Sequence, residues 1–325
     1  MFDIILNSLA PICLVFELLA LILSFYLKDS RIFFIALALL CARTTYLYAS
    51  LYQTTHLFVS LFLPFVFMLF VVLKKSVLVF EKKSLVKVAV LVFVGILALF
   101  LCKNTNFNAS MSQILFEMPF FSPISQLSFI FFVVELLFLL LWGILKEELH
   151  FTLAFLLLFV QFSFEKFTQS GFFEFSSLFF VAYLVWHSYK SLYFDAFTKL
   201  PNQKALKRML LGLESYFLGT LRVQGLNAAH SKKERILLKK IAKILKKQDK
   251  NVRVFSLDED FVFVFKNASE NEVKEFLNKL QKAFETTNSL LKDFKFKALT
   301  SFVKKEGKFE EQISTLKASL ALKAV

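Results

Sequence analysis

The chain is short of glycine, proline, cysteine and charge. Its 325 residues include seven Gly, five Pro and three Cys, and only 20% are charged, whereas about 25% are charged in an ordinary soluble domain. Together with the high apolar content, these shortages exclude a disordered chain and a collagen-like repeat. Cys13, Cys41 and Cys102 are too few and too far apart for a disulfide framework or a zinc site, and we interpret them as small apolar residues.

Apolar residues are abundant instead. They make up 57% of the chain, 45 residues are Phe, and the mean hydropathy is +0.62, which excludes an ordinary cytosolic enzyme. Residues 1–190 carry 12 basic and 10 acidic side chains, and residues 191–325 carry 27 and 15. We therefore predict two domains: a polytopic α-helical membrane domain over 1–190, and a cytoplasmic domain over 191–325 that is long enough for one core.

Seven apolar segments indicate membrane-crossing helices, each of which needs about 20 residues. The sixth is the shortest and is bounded by Glu165 and Lys166. The first is too long for a cleaved signal peptide and has no basic residues before it. The predicted spans are Ile5–Leu27, Phe33–Leu51, Leu57–Leu73, Leu85–Leu101, Leu127–Leu145, Phe151–Phe164 and Phe172–Tyr189.

The basic residues between these segments predict the orientation of the chain. They follow the odd-numbered spans, whereas the alternate connections carry almost no charge, and cytoplasmic loops are the ones enriched in Lys and Arg. We therefore expect a multi-pass protein of a bacterial inner membrane, with the N-terminus outside and the C-terminal domain in the cytoplasm. The residues concerned are Lys28, Arg31, Lys74, Lys75, Lys82, Lys83, Lys146 and Lys190.

Three ionisable residues lie well inside the predicted spans: Glu17, Arg43 and Glu135. A charge in a bilayer costs several kcal/mol unless it is paired. A salt bridge between Glu17 and Arg43 is one interpretation, and a ligand or proton site is the other. Lys87 and Glu174 are close enough to span ends to extend toward the interface.

The C-terminal part alternates between strand and helix patterns. The order is strand, helix, hairpin, helix, strand and helix, which is typical of an α/β or α+β sheet with helices packed on it. Ser269 and Glu272 form a capping-box pattern before the second helix. The predicted elements are a first helix at Gln203–Leu213, strands at Tyr216–Val223, Val252–Phe255, Phe261–Phe265 and Phe294–Val303, and helices at Ser231–Lys247, Glu270–Phe284 and Glu310–Lys323.

A short stretch before these elements resembles the opening of the GGDEF, or diguanylate cyclase, domain. That family opens with D-x-L-T-G-L-P-N-R directly after its membrane or sensor segment. This chain departs from the pattern at Lys199, where the family has Gly, and at Gln203, where it has Arg. The resemblance covers about residues 193–325, and the matching residues are Asp195, Thr198, Leu200, Pro201, Asn202 and Leu206.

The resemblance implies a chemistry that this chain is not expected to perform. Active members join two GTP molecules into cyclic di-GMP, with Mg²⁺ held by carboxylates from the first strand and the signature hairpin, and with hairpin glycines against the phosphates. Arg222 and Gln224 stand where the first-strand carboxylates are expected. The vestigial signature, which lacks both glycines, is Leu257, Asp258, Glu259, Asp260 and Phe261. We therefore predict no catalytic residue, no metal and no cofactor, with Arg222 placed to pair with Glu259 or Asp260.

Two basic features near the hairpin remain. Lys246 and Asp249 occupy the place of the family's inhibitory R-x-x-D motif, but Lys lacks the bidentate fork of Arg, so we expect little nucleotide binding there. The helix at 231–247 is strongly basic and has no interleaved aromatic residues, which argues against nucleic acid. An anionic lipid surface or an acidic protein suits it better.

The function that these features predict is signalling or scaffolding at the bacterial inner membrane, with a protein partner at the degenerate domain. One alternative is an active diguanylate cyclase using Mg²⁺ and GTP, and another is a seven-helix receptor for a small ligand. GGDEF domains work in pairs, so the resemblance also implies a homodimer coupled through residues 186–194.

Overall fold

The computed structural model divides into two compact units, Met1–Ser188 and Tyr189–Val325, which we call unit 1 and unit 2 and describe separately. The statements below concern the described residues, which are 2–48, 52–76, 81–104, 106–107, 110, 125–160, 162, 172–224, 232–246, 252–257, 260–290, 297–305 and 309–324.

Unit 1 is helical, and every predicted span overlaps one of its helices. A turn of 3-10 helix, Lys82–Ser84, precedes the fourth, and the last continues into unit 2. The helices are α1 (Phe2–Tyr26), α2 (Ser30–Tyr48), α3 (Tyr52–Val72), α4 (Leu85–Leu101), α5 (Gln126–Lys146), α6 (Leu149–Leu158) and α7 (Ser176–Tyr193).

Three of the described helices are long and apolar enough to cross a membrane: α2 over Ser30–Leu47, α3 and α5. Shorter apolar helices occupy Pro11–Tyr26, Leu85–Leu101 and Leu149–Leu158. With 10 residues, α6 is about 15 Å long, half the roughly 30 Å of a hydrocarbon core. The sixth predicted span therefore coincides with a helix that is too short to cross by itself, and seven crossings stay a prediction.

Stacked aromatic rings hold the helices of unit 1 together. Phe132 of α5 stacks on Phe155 of α6, with ring centroids 4.8 Å apart, and on Phe159, with centroids 4.1 Å apart. Phe67 of α3 meets Phe155 edge-on and stacks on Phe180 of α7. Paired rings add to the free energy gained by burying apolar area. The many Phe residues of this unit therefore stabilise the packing of its helices.

Unit 2 is an antiparallel sheet covered by helices on both faces. The strand order is β2-β3-β1-β4, so β1 lies between β3 and β4. Its strands are β1 (Tyr216–Gln224), β2 (Val252–Leu257), β3 (Asp260–Lys266) and β4 (Lys297–Lys304), and its helices are α8 (Gln203–Leu211), α9 (Lys232–Leu245), α10 (Glu270–Leu290) and α11 (Phe309–Ala324).

Alternate residues of β3 belong to two different cores. Phe261, Phe263 and Phe265 pack with α9 and α10, and Val262 and Val264 pack with α8 and α11. Successive strand side chains point to opposite faces of a sheet, so a strand that is apolar throughout is covered on both sides. The uninterrupted apolar run Phe261–Phe265 is therefore explained by a sheet that has helices packed on both of its faces.

The predicted element order of unit 2 is confirmed, and its boundaries agree closely with the structure. The largest difference is α10, which continues six residues beyond the predicted Phe284. The capping box is present, since the Ser269 amide donates to Glu272 Oε2 at 2.7 Å and the Glu272 amide to Ser269 Oγ at 3.3 Å. The hydrogen bond from the Ser269 amide holds the pKa of the Glu272 carboxyl below its usual value.

Candidate functional site

The stretch that opens unit 2 is a hydrogen-bonded turn built by its motif residues. Asp195 Oδ1 accepts from the amides of Phe197 and Thr198, at 3.0 and 2.6 Å, and from Thr198 Oγ1 at 2.8 Å. Asn202 Oδ1 caps α8 through the amides of Lys204 and Ala205, which satisfies donors that a helix start leaves open. These motif side chains therefore fix the entry of the chain into the sheet domain.

The remaining motif residues of the turn are anchored in the fold. Leu200 and Leu206 are buried, one in each of the two cores. The carbonyl of Pro201 accepts from the Ser256 amide at 2.8 Å, which ties the turn to β2. Lys199, which stands in place of the family's Gly, has a φ of +59°. That backbone conformation favours glycine. Lys199 adopts it although it carries a side chain.

At the signature hairpin, Arg222 of β1 forms an ion pair with Asp260 of β3. The strand register places the two residues directly opposite each other. Arg222 Nε and Nη2 donate to Oδ1 and Oδ2 of Asp260 at 2.6 and 2.8 Å. The Asp260 side chain is 2% exposed and the Arg222 side chain is 26% exposed. Such two-point contacts are the strong form of an ion pair, and the guanidinium contacts both oxygens of the carboxylate.

Described neighbours of the pair include apolar and neutral side chains, and Asp258 and Glu259 of the hairpin lie outside the described residues. Leu257 lies opposite Asp260 on β2 and is buried, as is Phe261. Thr220, two residues before Arg222 on β1, hydrogen-bonds to Ser301 of β4, with the hydroxyl oxygens 2.8 Å apart. The described residues contain no group of three His, Cys, Asp or Glu side chains that could hold a metal ion.

Several predicted site residues fall outside the described part of the chain. Asp258 and Glu259 of the signature and Asp249 of the inhibitory-like motif are among them. Gln224 ends β1, where it pairs with Lys297 of β4. Lys246 is exposed in the turn that follows α9.

Helix α9 buries only part of the apolar stripe that the sequence pattern predicts, which consists of Ile236, Leu237, Ile241, Ile244 and Leu245. Its buried residues are Leu238, Ile241, Ala242 and Leu245, spaced as one helical stripe. The predicted stripe included Ile236 and Ile244, which are about half exposed. The prediction is therefore confirmed for Ile241 and Leu245 and wrong for Ile236 and Ile244. The two isoleucines therefore lie on the outer surface with Lys239, Lys240 and Lys243.

The salt bridge expected between Glu17 and Arg43 in unit 1 is present. Arg43 of α2 donates from Nη2 and Nε to the two oxygens of Glu17 of α1, at 2.6 and 2.9 Å. The Glu17 side chain is fully buried. Arg43 Nη1 also donates to the Phe172 carbonyl at 2.8 Å, and the guanidinium lies over the Phe172 ring. Both charges are thus satisfied by protein, which favours the structural interpretation of this pair.

Glu135, Lys87 and Glu174 of unit 1 are also buried. Glu135 of α5 is 6% exposed, and its Oε2 has no hydrogen-bond partner in the described part of unit 1. We predicted that Lys87 and Glu174 extend to the interface, but both are fully buried. Lys87 Nζ donates to Ser30 Oγ at 3.3 Å, and Glu174 Oε2 accepts from the Ser177 amide at 2.9 Å. Both side chains therefore hydrogen-bond to polar groups inside the helix bundle.

Comparisons with known proteins give partial overlaps only. No protein-family model and no curated protein matches the chain. It is similar to the diguanylate cyclase SiaD in complex with its activator SiaC from Pseudomonas aeruginosa, at 14% identity and a TM-score of 0.35 over 43% of this chain. It is also similar to the apo S helix-GGDEF-EAL form of LapD from Vibrio cholerae, at 18% identity and a TM-score of 0.34 over 42% of this chain. The chain spans 61% of the first protein and 35% of the second.

Proposed function

We propose that this chain is a bacterial inner-membrane signalling or scaffolding protein whose GGDEF-like unit 2 does not make cyclic di-GMP but binds a protein partner. Unit 1 holds the chain in the lipid bilayer by several passes, with the N-terminus outside and unit 2 in the cytoplasm. The three long apolar helices and the buried Glu17–Arg43 pair support the membrane part of the proposal.

The contact between Arg222 and Asp260 carries the proposal that catalysis is lost. In active members the end of the first strand supplies a carboxylate to Mg²⁺, and here that position supplies a guanidinium, which binds both carboxylate oxygens of Asp260 in the hairpin. Two unit charges 4 Å apart interact by about 4 kcal/mol at an effective dielectric constant of 20, and Mg²⁺ carries two. The described residues therefore do not fit a magnesium site, and the proposal includes neither a metal nor a nucleotide cofactor.

The outer face of α9 supports a protein partner. Ile236 and Ile244 are two turns apart and about half exposed, and Lys239, Lys240 and Lys243 surround them. Two apolar side chains within a cationic surface match a partner that offers apolar residues among acidic ones. The absence of aromatic residues from α9 disfavours a nucleic acid, because single strands are held by stacking.

Affinity capture tests the partner claim. The tagged full-length chain is recovered from detergent-solubilised membranes, as wild type, as the Ile236→Ser/Ile244→Ser double variant, and as Leu211→Ser. Leu211 is 83% exposed on α8 and serves as the matched control. We expect a co-purifying protein that is lost in the double variant, kept in the control, and released by raised salt. Equal recovery with all three forms would contradict a partner at α9.

Reporter fusions test the orientation. A reporter placed after Val325 should behave as cytoplasmic, and one placed near Asn108 as external. Finding both reporters on the same side of the membrane would contradict the seven-pass arrangement. The short helix α6 would then be the first of the seven segments to be reinterpreted as not crossing the membrane.

Two alternatives are separable from this proposal. An active diguanylate cyclase requires GTP turnover, which a direct assay detects. A seven-helix receptor that only relays a signal requires a ligand in unit 1 and no partner surface on α9, so it predicts equal capture by all three forms. The buried Glu135, whose Oε2 has no partner in the described residues, is the observation that favours this second alternative.

A further inference from the structure

An apolar groove of about 400 Å³ opens between α2, α3 and α4. Its volume falls within the roughly 300–1,000 Å³ of pockets that bind small molecules. Its lining residues repeat at helical spacing along all three helices, for example Phe58, Phe62 and Val66 of α3. The groove therefore runs along the axes of these helices.

Small residues create this groove. Ala38 and Ala42 line it from α2, and Gly95 and Ala98 line it from α4. A Cβ atom built on Gly95 would meet nothing within 4 Å, so no neighbouring side chain fills the space beside this residue. Of the residues of α4, Lys87 and Ala98 are the two that are buried. Between these two residues, Leu91 and Val94 pack against the bundle and line the groove, whereas Val92 is 56% exposed.

Charge is present at one end of the groove. Lys103, which follows α4, is the one charged residue among the described lining residues. It is exposed, and no ion pair within the described part of the chain occupies its ammonium group. The hydroxyls of Thr44 and Thr45 bond to carbonyls of their own helix, those of Cys41 and Ala42. They therefore add no free donor at this end.

We propose that the groove binds the hydrocarbon chain of a long-chain carboxylic acid whose carboxylate contacts Lys103. One apolar channel accepts one chain, and one cation matches one anionic group. Lipid tails are as apolar as the lining side chains, so burial alone does not favour the ligand over bulk lipid. Close packing against the small residues and the charge at Lys103 supply the selectivity. The inference is independent of the role of unit 2.

Photolabelling of the full-length chain tests the groove. A diazirine-bearing C16 carboxylic acid is cross-linked to the protein in neutral detergent, and labelled peptides are mapped by mass spectrometry. We expect labelling of α2, α3 and α4 to fall at least about fivefold in Gly95→Leu, which fills the groove. Ala89→Leu adds the same side chain at an exposed position of α4 outside the groove and should label as the wild type does.

Replacing Gly95 is expected to preserve the helix, because Leu is a better helix former than Gly. Val92→Phe is a second filling variant, since Val92 lines the groove and is 56% exposed. Labelling spread evenly over all helices of unit 1, or unchanged in both filling variants, would overturn the groove as a binding site.

A separate comparison of variants tests whether the carboxylate of the ligand contacts Lys103. Lys103→Gln should lower labelling by the acid about two- to fivefold, as expected for an exposed ion pair, and should leave labelling by the matching C16 alcohol unchanged. Lys82→Gln is the control, because Lys82 is exposed and does not line the groove. Equal effects of Lys103→Gln on acid and alcohol would overturn the carboxylate assignment. None of these results affects the capture experiment on α9.

Discussion

The opening turn and the signature hairpin of unit 2 both carry the resemblance to GGDEF domains, and they differ in what their residues do. In the turn, Asp195 and Asn202 satisfy backbone amides. At the hairpin, the positions expected to hold metal hold an ion pair between Arg222 and Asp260. The motif residues of the turn shape the local fold, and those of the hairpin form an ion pair across two strands.

This difference shows that the two motif regions contribute to the structure in different ways, one through backbone hydrogen bonds and the other through a buried charge. A hydrogen-bonded cap stabilises the fold whatever happens at the hairpin. A buried carboxylate, in contrast, needs a cation, which can be a metal or a guanidinium. Here Arg222 provides the cation for Asp260.

The largest effect is expected from removing the guanidinium. Arg222→Ala leaves Asp260 buried and unpaired, which should lower the free energy of unfolding of unit 2 by about 3 kcal/mol, at the low end of the range for buried pairs because Arg222 is partly exposed. Hydrogen exchange of β3 amides in the full-length chain measures this. The double variant Arg222→Leu/Asp260→Leu should lose less than the single one, and a loss below about 0.5 kcal/mol in Arg222→Ala would show that the pair does not stabilise the sheet.

The turn should respond less strongly. Asn202→Ala removes the cap of α8 and should lower the free energy of unfolding of unit 2 by about 1 kcal/mol. The same exchange experiment detects it, with Gln203→Ala as a control at the first residue of the helix. A change in Asn202→Ala no larger than in the control would mean that the cap contributes nothing.

A gain in stability is expected at Lys199. Its left-handed backbone costs a residue with a side chain about 1–2 kcal/mol, and the greater freedom of unfolded glycine offsets about half of that. Lys199→Gly should therefore raise the free energy of unfolding by about 0.5 kcal/mol, whereas Lys199→Ala should not. A loss of stability in Lys199→Gly would contradict the conformation of the turn.

The smallest effect concerns the capping box of α10. The pKa of Glu272 is lowered by the Ser269 amide, so its contribution is present above the unfolded-state pKa and is lost as the pH falls through the folded-state pKa. Wild type should be more stable than Glu272→Gln at neutral pH, and the difference should vanish in acid. A difference that stays constant with pH would assign it to a cause other than the charge.

Local patterns predicted the elements of unit 2 well, because apolar periodicity and caps act within a few residues. The buried face of α9 was predicted only in part, since Ile241 and Leu245 are buried but Ile236 and Ile244 are about half exposed. Which side of a helix faces the sheet depends on tertiary packing that the local pattern does not contain. The sequence offered Glu259 and Asp260 as alternative partners of Arg222, and the register of β1 against β3 places Asp260 opposite it, while Glu259 lies outside the described residues. Similarly, the burial of Lys87 depends on Ser30, which is 57 residues away.

GTP turnover tests the loss of catalysis most directly. The full-length chain in detergent, which allows two copies to pair, is incubated with GTP and Mg²⁺ and then with Mn²⁺, and the nucleotides are separated by chromatography. We predict no cyclic di-GMP with either metal. Steady product formation that is abolished by the Glu259→Ala/Asp260→Ala double variant would show that the hairpin is an active site and would contradict the proposed function.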